Sequence, residues 1–236
     1  MPTTAQTGFL PDLDAIPAEL FARTIAFYIA SPANPQGSVA SSGYLHRLIG
    51  LARRHGFVVF SDECYVEFTW KGPPRTILAS GSDGVVAVHS LSKRSNLAGV
   101  RVGFYAGDAE LVSYLKEVRK HVGMMVPGPA QAAGAVALAD DAHVAVQRDR
   151  YRHRLQRLAV VLSKWSGIDV PLPAGGFYLW FDAGDGWEFT ERLARVGGAL
   201  VSPGDFYGAG GSQNVRAAVV QPDDRIELVA TRLGVR

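Results

Sequence analysis

Lys93 stands in the run Ser90-Leu91-Ser92-Lys93-Arg94, and eight residues on, past Asn96-Leu97-Ala98-Gly99, comes Arg101, followed by Gly103. A lysine amine can condense with a carbonyl group, and a serine hydroxyl near a planar, permanently charged guanidinium can hold a phosphate. Ser90 and Arg101 are the candidates for that second task. Together these are the groups that a carbonyl compound carrying a phosphate, such as pyridoxal 5'-phosphate, requires of a protein. A lysine beside serines is more often a solvated surface residue, so the run gains its weight from the blocks around it.

Upstream are Ser31-Pro32-Ala33-Asn34-Pro35-Gln36-Gly37 and Phe57-Val58-Val59-Phe60-Ser61-Asp62-Glu63-Cys64-Tyr65. Downstream are Ala174-Gly175-Gly176-Phe177-Tyr178-Leu179-Trp180, then Val201-Ser202-Pro203-Gly204 and Asn214-Val215-Arg216. In order and spacing these blocks resemble the class I/II aminotransferases, the fold type I family of pyridoxal-phosphate enzymes, over nearly the whole chain. The blocks around Asn34 and Lys93 are most similar to bacterial members of the succinyldiaminopimelate aminotransferase-like branch. The resemblance implies transfer of an amino group between an amino acid and a 2-oxo acid through a Schiff base on Lys93. The same fold also serves carbon–sulfur lyases and amino acid synthases, and a non-catalytic fragment could retain the same residues.

The resemblance assigns roles residue by residue, each with a plainer alternative. Asp62 lies 28 residues after Asn34 and 31 before Lys93. It maps onto the carboxylate that keeps the cofactor's ring nitrogen protonated, as a nearby negative charge favours the charged form of a base; a lone strand-end aspartate is otherwise a turn or cap residue. Tyr65 and Asn34 map onto the hydrogen-bonding partners of the cofactor's phenolic oxygen. Otherwise Tyr65 is an aromatic plug and Asn34 a turn residue before Pro35, at a bond that is often cis in the family. Arg216 maps onto the arginine that grips the substrate α-carboxylate; otherwise it is a salt-bridged strand residue. Catalysis is thus assigned to Lys93, Asp62 and Tyr65, and cofactor binding to Asn34, Asp62, Tyr65, Ser90, Lys93 and Arg101. Ser92 could add a phosphate contact, Cys64 reads as packing, and Gly208-Ala209-Gly210-Gly211 lacks the strand-turn-helix setting of a nucleotide loop.

These residues must be held by an alternation of strands and helices. Thr24–Ile29, Phe57–Ser61, Val85–His89 and Val100–Tyr105 are short apolar runs bounded by turn residues, while Ser41–Arg54 places Leu45, Leu48, Ile49 and Ala52 on one helical face. That alternation predicts an α/β unit with a mixed, mainly parallel sheet, and ligands bind such sheets beyond the carboxyl ends of the strands, where Asn34, Asp62, Ser90 and Lys93 fall. Asp108–His121 and Pro127–Asp140 read as helices. Asp141–Trp165 reads as a longer one with Val144, Tyr151, Leu155, Leu158 and Leu162 as its apolar stripe. Beyond it the pattern changes to short strands and Gly-rich turns. The expected division is a partial large domain over 1–150 and a small C-terminal α+β domain over 151–236.

Bulk properties narrow the setting. At 236 residues the chain can bury a sizeable core, and its net charge of +2 comes from scattered arginines rather than a basic block, so no nucleic-acid partner is expected. One cysteine cannot form an internal disulfide and suits a reducing cytoplasm. The N-terminal residues lack the pattern of a signal peptide, no apolar run is long enough to span a membrane, and the six histidines show no metal-ligand spacing. A cytoplasmic protein, homodimeric if complete, is the expectation. In the family a long segment precedes the Asn-Pro block and supplies a phosphate cradle, a ring-stacking aromatic and a tyrosine that crosses the dimer interface. Here the chain begins some thirty residues before Asn34, so an N-terminally truncated enzyme with weakened cofactor retention is expected.

Overall fold

The structure is a computed structural model that describes Met1 and residues 3–235. After a first helix, Ala18–Ala22 (α1), the chain enters a four-stranded sheet formed by Ala26–Ala30 (β1), Val58–Asp62 (β2), Val85–Ser90 (β3) and Gly103–Gly107 (β4). The strands lie in the order β1-β2-β3-β4, with the first three parallel and β4 antiparallel to β3. Parallel neighbours need a crossover, and Ser42–His55 (α2) supplies the first. Ser41 caps α2 by accepting from Tyr44 N at 3.1 Å, and Gly56 closes it with φ +76°. The predicted face of α2, Leu45, Leu48, Ile49 and Ala52, is buried and packs with Ile29, Phe57, Val59, Val85 and Ala87 from one side of the sheet.

A four-residue helix, Leu91–Arg94 (α3), follows β3, and Ala109–His121 (α4), Gly128–Leu138 (α5) and Ala142–Ser166 (α6) follow β4. The last of these carries the apolar stripe read from the sequence: Val144, Tyr151, Leu155 and Leu162 are buried and Leu158 is half-buried. Then come Tyr178–Asp182 (β5), Gly186–Gly197 (α7), Ser202–Pro203 (β6), Asn214–Ala218 (β7) and Asp223–Arg232 (α8). The second sheet is antiparallel throughout, in the order β5-β7-β6. Leu179, Phe181, Val215 and Ala217 point from it into a core shared with α6, α7 and α8. Arg157 on α6 pairs with Glu227 on α8 through two hydrogen bonds of 2.7 Å each, and Arg154 pairs with Asp223.

Two strand boundaries differ from expectation. Thr24 belongs to the turn after α1, where its hydroxyl bonds to Leu20 O at 2.7 Å, and β1 starts at Ala26. The run Val100–Tyr105 does not extend as one strand. Arg101 takes a left-handed backbone, φ +59° and ψ 42°, which no strand accommodates, and β4 begins only at Gly103.

The segment after β2 ties the two sheets together. Tyr65 and Phe68 are buried in the C-terminal core with Tyr151, Phe177 and Tyr178, although they belong in sequence to the first sheet. Trp70 N donates to Ala174 O at 2.8 Å, Gly176 N to Phe68 O at 2.9 Å, and Gly175 N to Gly37 O at 2.8 Å. That last approach demands glycine on both sides. A Cβ on Gly175 would lie 2.6 Å from two Pro32 side-chain carbons, and one on Gly37 would lie 2.5 Å from Pro173 Cβ.

Candidate active site

Parallel strands that end at a common edge place their last residues side by side. Asp62 is the final residue of β2 and pairs in register with Ala30 and Val88, so it sits between the ends of β1 and β3. Ser90 is the final residue of β3 and also the N-cap of α3, its Oγ accepting from Ser92 N at 3.1 Å. Because that contact uses the oxygen as acceptor, the hydroxyl proton remains available to a ligand. The single turn of α3 carries Lys93.

Ala30, Asn34, Asp62, Cys64, Tyr65, Ser90, Ser92, Lys93, Ala98 and Arg101 line one cleft of about 370 Å³. Every residue the sequence assigned to cofactor binding is on that list. Asp62 is the sole carboxylate in the lining, facing two cations, Lys93 and Arg101. Asn34, Asp62 and Arg101 are exposed on its open side, and Tyr65 is buried at its inner wall. Arg101 reaches its place through the left-handed backbone, and its Nη1 donates to Ala98 O at 3.0 Å. A non-glycine residue in that region costs of order 1 kcal/mol or more, a strain often found at functional sites. Asn34 precedes a cis bond to Pro35, as the resemblance implied, and a second cis bond joins Ser31 to Pro32.

Arg216 comes from the other sheet. It occupies the central strand β7, directly opposite Trp180 of β5 and Ser202 of β6. Its Nη1 donates to Asn34 Oδ1 at 3.0 Å, so residues 182 positions apart meet at the cleft, and Nη2 lies 3.5 Å from Ser202 Oγ. Its Nε is buried without a hydrogen-bond partner. Among the described residues no carboxylate pairs with it, so the salt-bridged strand arginine is not what the fold builds. A second hollow of about 560 Å³, lined by Lys93, Asn96, Gln147, Tyr151, Arg154, Tyr178 and Arg216 among others, joins Lys93 to Arg216.

Sequence reasoning did not assign roles to Tyr178, Tyr207 or Arg94. The Tyr178 hydroxyl lies 2.9 Å from that of Tyr65, and Arg216 Cζ lies 4.4 Å from the Tyr178 ring and 4.9 Å from the Tyr207 ring. Burial first, and the Tyr178 hydroxyl second, push the Tyr65 phenol well above its usual range. Arg94 donates to Ala137 O at 2.8 Å and pairs with Asp141 and with Glu67, which anchors the Lys93 turn to the start of α6 and to the segment after Tyr65. For Tyr178 the alternation of β5 alone does not say which face meets Arg216, because that follows from the register with β7; for Arg94 no local pattern carried it. Cys64 is half-buried beside Asp62, and burial, with the Asp62 carboxylate second, pushes its thiol up to about 12.

A mixed, mainly parallel α/β sheet joined to a small antiparallel one is the architecture of the fold type I transferases. Residues 1–233 match the family described as aminotransferase class I and II, and the chain belongs to that family. It is 47% identical over 212 residues to the 4-dedimethylamino-4-oxo-anhydrotetracycline transaminase OxyQ of Streptomyces rimosus, covering 87% of this chain and 58% of that protein. To the LL-diaminopimelate aminotransferase of Syntrophobacter fumaroxidans it is 32% identical over 240 residues, covering 99% of this chain and 62% of that one. Among solved structures, an aminotransferase from Neisseria meningitidis superposes with a TM-score of 0.86 at 32% identity over 96% of this chain and 61% of its own. Substrate-bound BacF from Bacillus subtilis gives 0.90 at 25% identity, covering 99% and 61%. The chain therefore spans about three-fifths of the length of these relatives. Membership in the family implies use of pyridoxal phosphate.

Proposed function

We propose that the protein transfers an amino group between an amino acid and a 2-oxo acid, with pyridoxal 5'-phosphate held by this chain's own residues. One observation carries the proposal: the six residues assigned to the cofactor line a single cleft, and the arginine assigned to the substrate is hydrogen-bonded to one of them. The donor set suits the cofactor. An amine, a lone carboxylate, a hydroxyl with a free proton and a guanidinium match a carbonyl, a basic ring nitrogen and a phosphate.

When bound, the cofactor serves as an electron sink for the substrate α-carbon. Lys93 supplies the amine that attaches it and afterwards moves a proton at the α-carbon. Asp62 holds a proton on the ring nitrogen by its negative charge. Asn34 and Tyr65 hydrogen-bond to the phenolic oxygen, Tyr65 as a phenol that burial keeps protonated. Ser90 and Arg101 bind the phosphate. Arg216 orients the substrate by a planar, two-pronged grip on its α-carboxylate, which fixes which bond faces the reacting centre.

The division near residue 150 is proposed as the large-domain and small-domain boundary, with α6 running across it. A homodimer is proposed as the working assembly, to be read from molar mass by light scattering, and the single free thiol supports a cytoplasmic setting. The substrates named for relatives, 4-dedimethylamino-4-oxo-anhydrotetracycline and LL-diaminopimelate, make a ketone panel with an amino acid donor the right first assay. The decisive experiment is borohydride reduction in the presence of pyridoxal phosphate followed by peptide mapping. A pyridoxyl group on Lys93 is expected, and lost in Lys93→Ala; a label confined to other lysines would overturn the assignment.

A further inference from the structure

Tyr178 touches both halves of the site. Register places Trp180 opposite Arg216 and Tyr178 opposite Ala218, so Tyr178, Trp180 and Arg216 share one face of the second sheet, with Tyr178 on the diagonal. Its ring centroid lies 4.4 Å from the Arg216 guanidinium carbon, with the Tyr207 ring at 4.9 Å. Its hydroxyl lies 2.9 Å from the Tyr65 hydroxyl, in a pair of side chains each only 7% exposed. We propose that Tyr178 is a positioning residue with two separable duties: its ring holds the Arg216 guanidinium, and its hydroxyl orients the Tyr65 hydroxyl toward the cleft. This rests on the amino-transfer proposal above.

Neutral partners matter at Arg216. A carboxylate holding the guanidinium would also cancel its charge, leaving less attraction for an incoming carboxylate. Ring faces and the Asn34 amide oxygen hold it without doing so. At Tyr65 the question is direction. Each hydroxyl has one proton and can accept as well. If Tyr178 donates, Tyr65 keeps its own proton for a ligand in the cleft; burial first, and the Tyr178 hydroxyl second, favour the protonated phenol in any case.

Three variants separate the duties. Tyr178→Phe keeps the ring and removes the hydroxyl; Tyr207→Leu removes the other ring and leaves the Tyr65 contact; Tyr178→Leu removes both features. The first measurement is the pH at which bound pyridoxal phosphate changes absorbance, and the second is affinity for 2-methylalanine, an amino acid that cannot lose an α-proton. Tyr178→Phe is expected to shift the absorbance titration and leave affinity nearly unchanged, while Tyr207→Leu weakens affinity roughly tenfold and leaves the titration in place. Tyr178→Leu should do both. Matching effects of Tyr178→Phe and Tyr207→Leu on both readouts, or no effect of either, would overturn the proposal.

A third measurement needs no cofactor. In the unliganded chain the Arg216 Nε–H resonance should move in Tyr178→Leu and Tyr207→Leu through loss of the ring currents, and stay in Tyr178→Phe. A resonance indifferent to both leucine variants sinks the ring-holding duty even if the protein does not bind pyridoxal phosphate. Failure of wild-type protein to bind the cofactor, with the resonance moving as expected, would instead count against the amino-transfer proposal alone.

Discussion

Arg216 has two readings in the sequence, a grip for a substrate carboxylate or a salt-bridged strand residue, and its surroundings in the fold bear on the choice. It has Asn34 Oδ1 as its hydrogen-bond acceptor, two tyrosine rings beside it and a buried Nε without a partner, which supports the proposed grip on a carboxylate. Arg216→Lys keeps the charge and loses the planar fork. Amino acid substrates should then bind roughly 10- to 100-fold more weakly, the scale of a charge-assisted hydrogen bond, while simple amines change little. Steady-state kinetics with matched amine and amino acid pairs checks this; equal loss for both would make the arginine structural. Cys64 offers a prediction about pH. Its thiol is pushed up to about 12, so the thiolate appears only as pH rises far above the ordinary thiol range. Alkylation by iodoacetamide at pH 8 should be on the order of a thousandfold slower than for an exposed cysteine. Asp62→Asn, by removing the second cause of the shift, should speed it; an unshielded rate in the wild type would refute the assignment.

At the scale of elements, the approach between the Asn34 loop and the turn leading into β5 is a tight constraint on the site. Gly175→Ala would push a Cβ to 2.6 Å from Pro32, next to the loop that carries Asn34. A loss of about 1–3 kcal/mol in stability is expected from such overpacking, together with weaker substrate binding as Asn34 moves away from Arg216. Urea denaturation and substrate titration test the two effects, and an unchanged variant would show that the loop has slack. Much of this level was legible beforehand. Helices α2, α4, α5 and α6 lie within two residues of their expected bounds, because apolar spacing and capping residues are local signals. The run at Val100 was misread because an apolar sequence does not announce a left-handed residue, and Arg101 interrupts it for the sake of its own placement. The residues that gather at the cleft were legible as strand-end chemistry. The Tyr178 and Tyr207 rings were not, since their positions depend on the register between β5 and β7 and on the loop after β6, which are tertiary facts.

For the whole molecule, burial is uneven. The two cores are well filled, yet Ile25 and Tyr28 stand 86% and 75% exposed at and beside β1, and Tyr28 stacks on Phe60 at 4.9 Å on the sheet face away from α2. Among the described residues no helix is long and apolar enough to cross a membrane. Tyr28→Lys should cost under about 0.5 kcal/mol, as exposed substitutions do, while lowering the fluorescence of a dye that binds apolar surface. A large loss of stability would mean that this face is packed in solution.

The distance in sequence between Asn34 and Arg216 sets an order of assembly during synthesis. Asn34, Asp62, Ser90, Lys93 and Arg101 have all left the peptidyl-transferase centre before β5 is made, whereas Arg216 follows only after the long α6 and the whole of α7. A nascent chain halted between β4 and β5 would therefore carry the residues proposed to hold the cofactor without the arginine proposed to grip an amino acid. On the proposed roles, the ability to choose a substrate arrives last, together with the packing of Tyr65 and Phe68 that joins the two sheets.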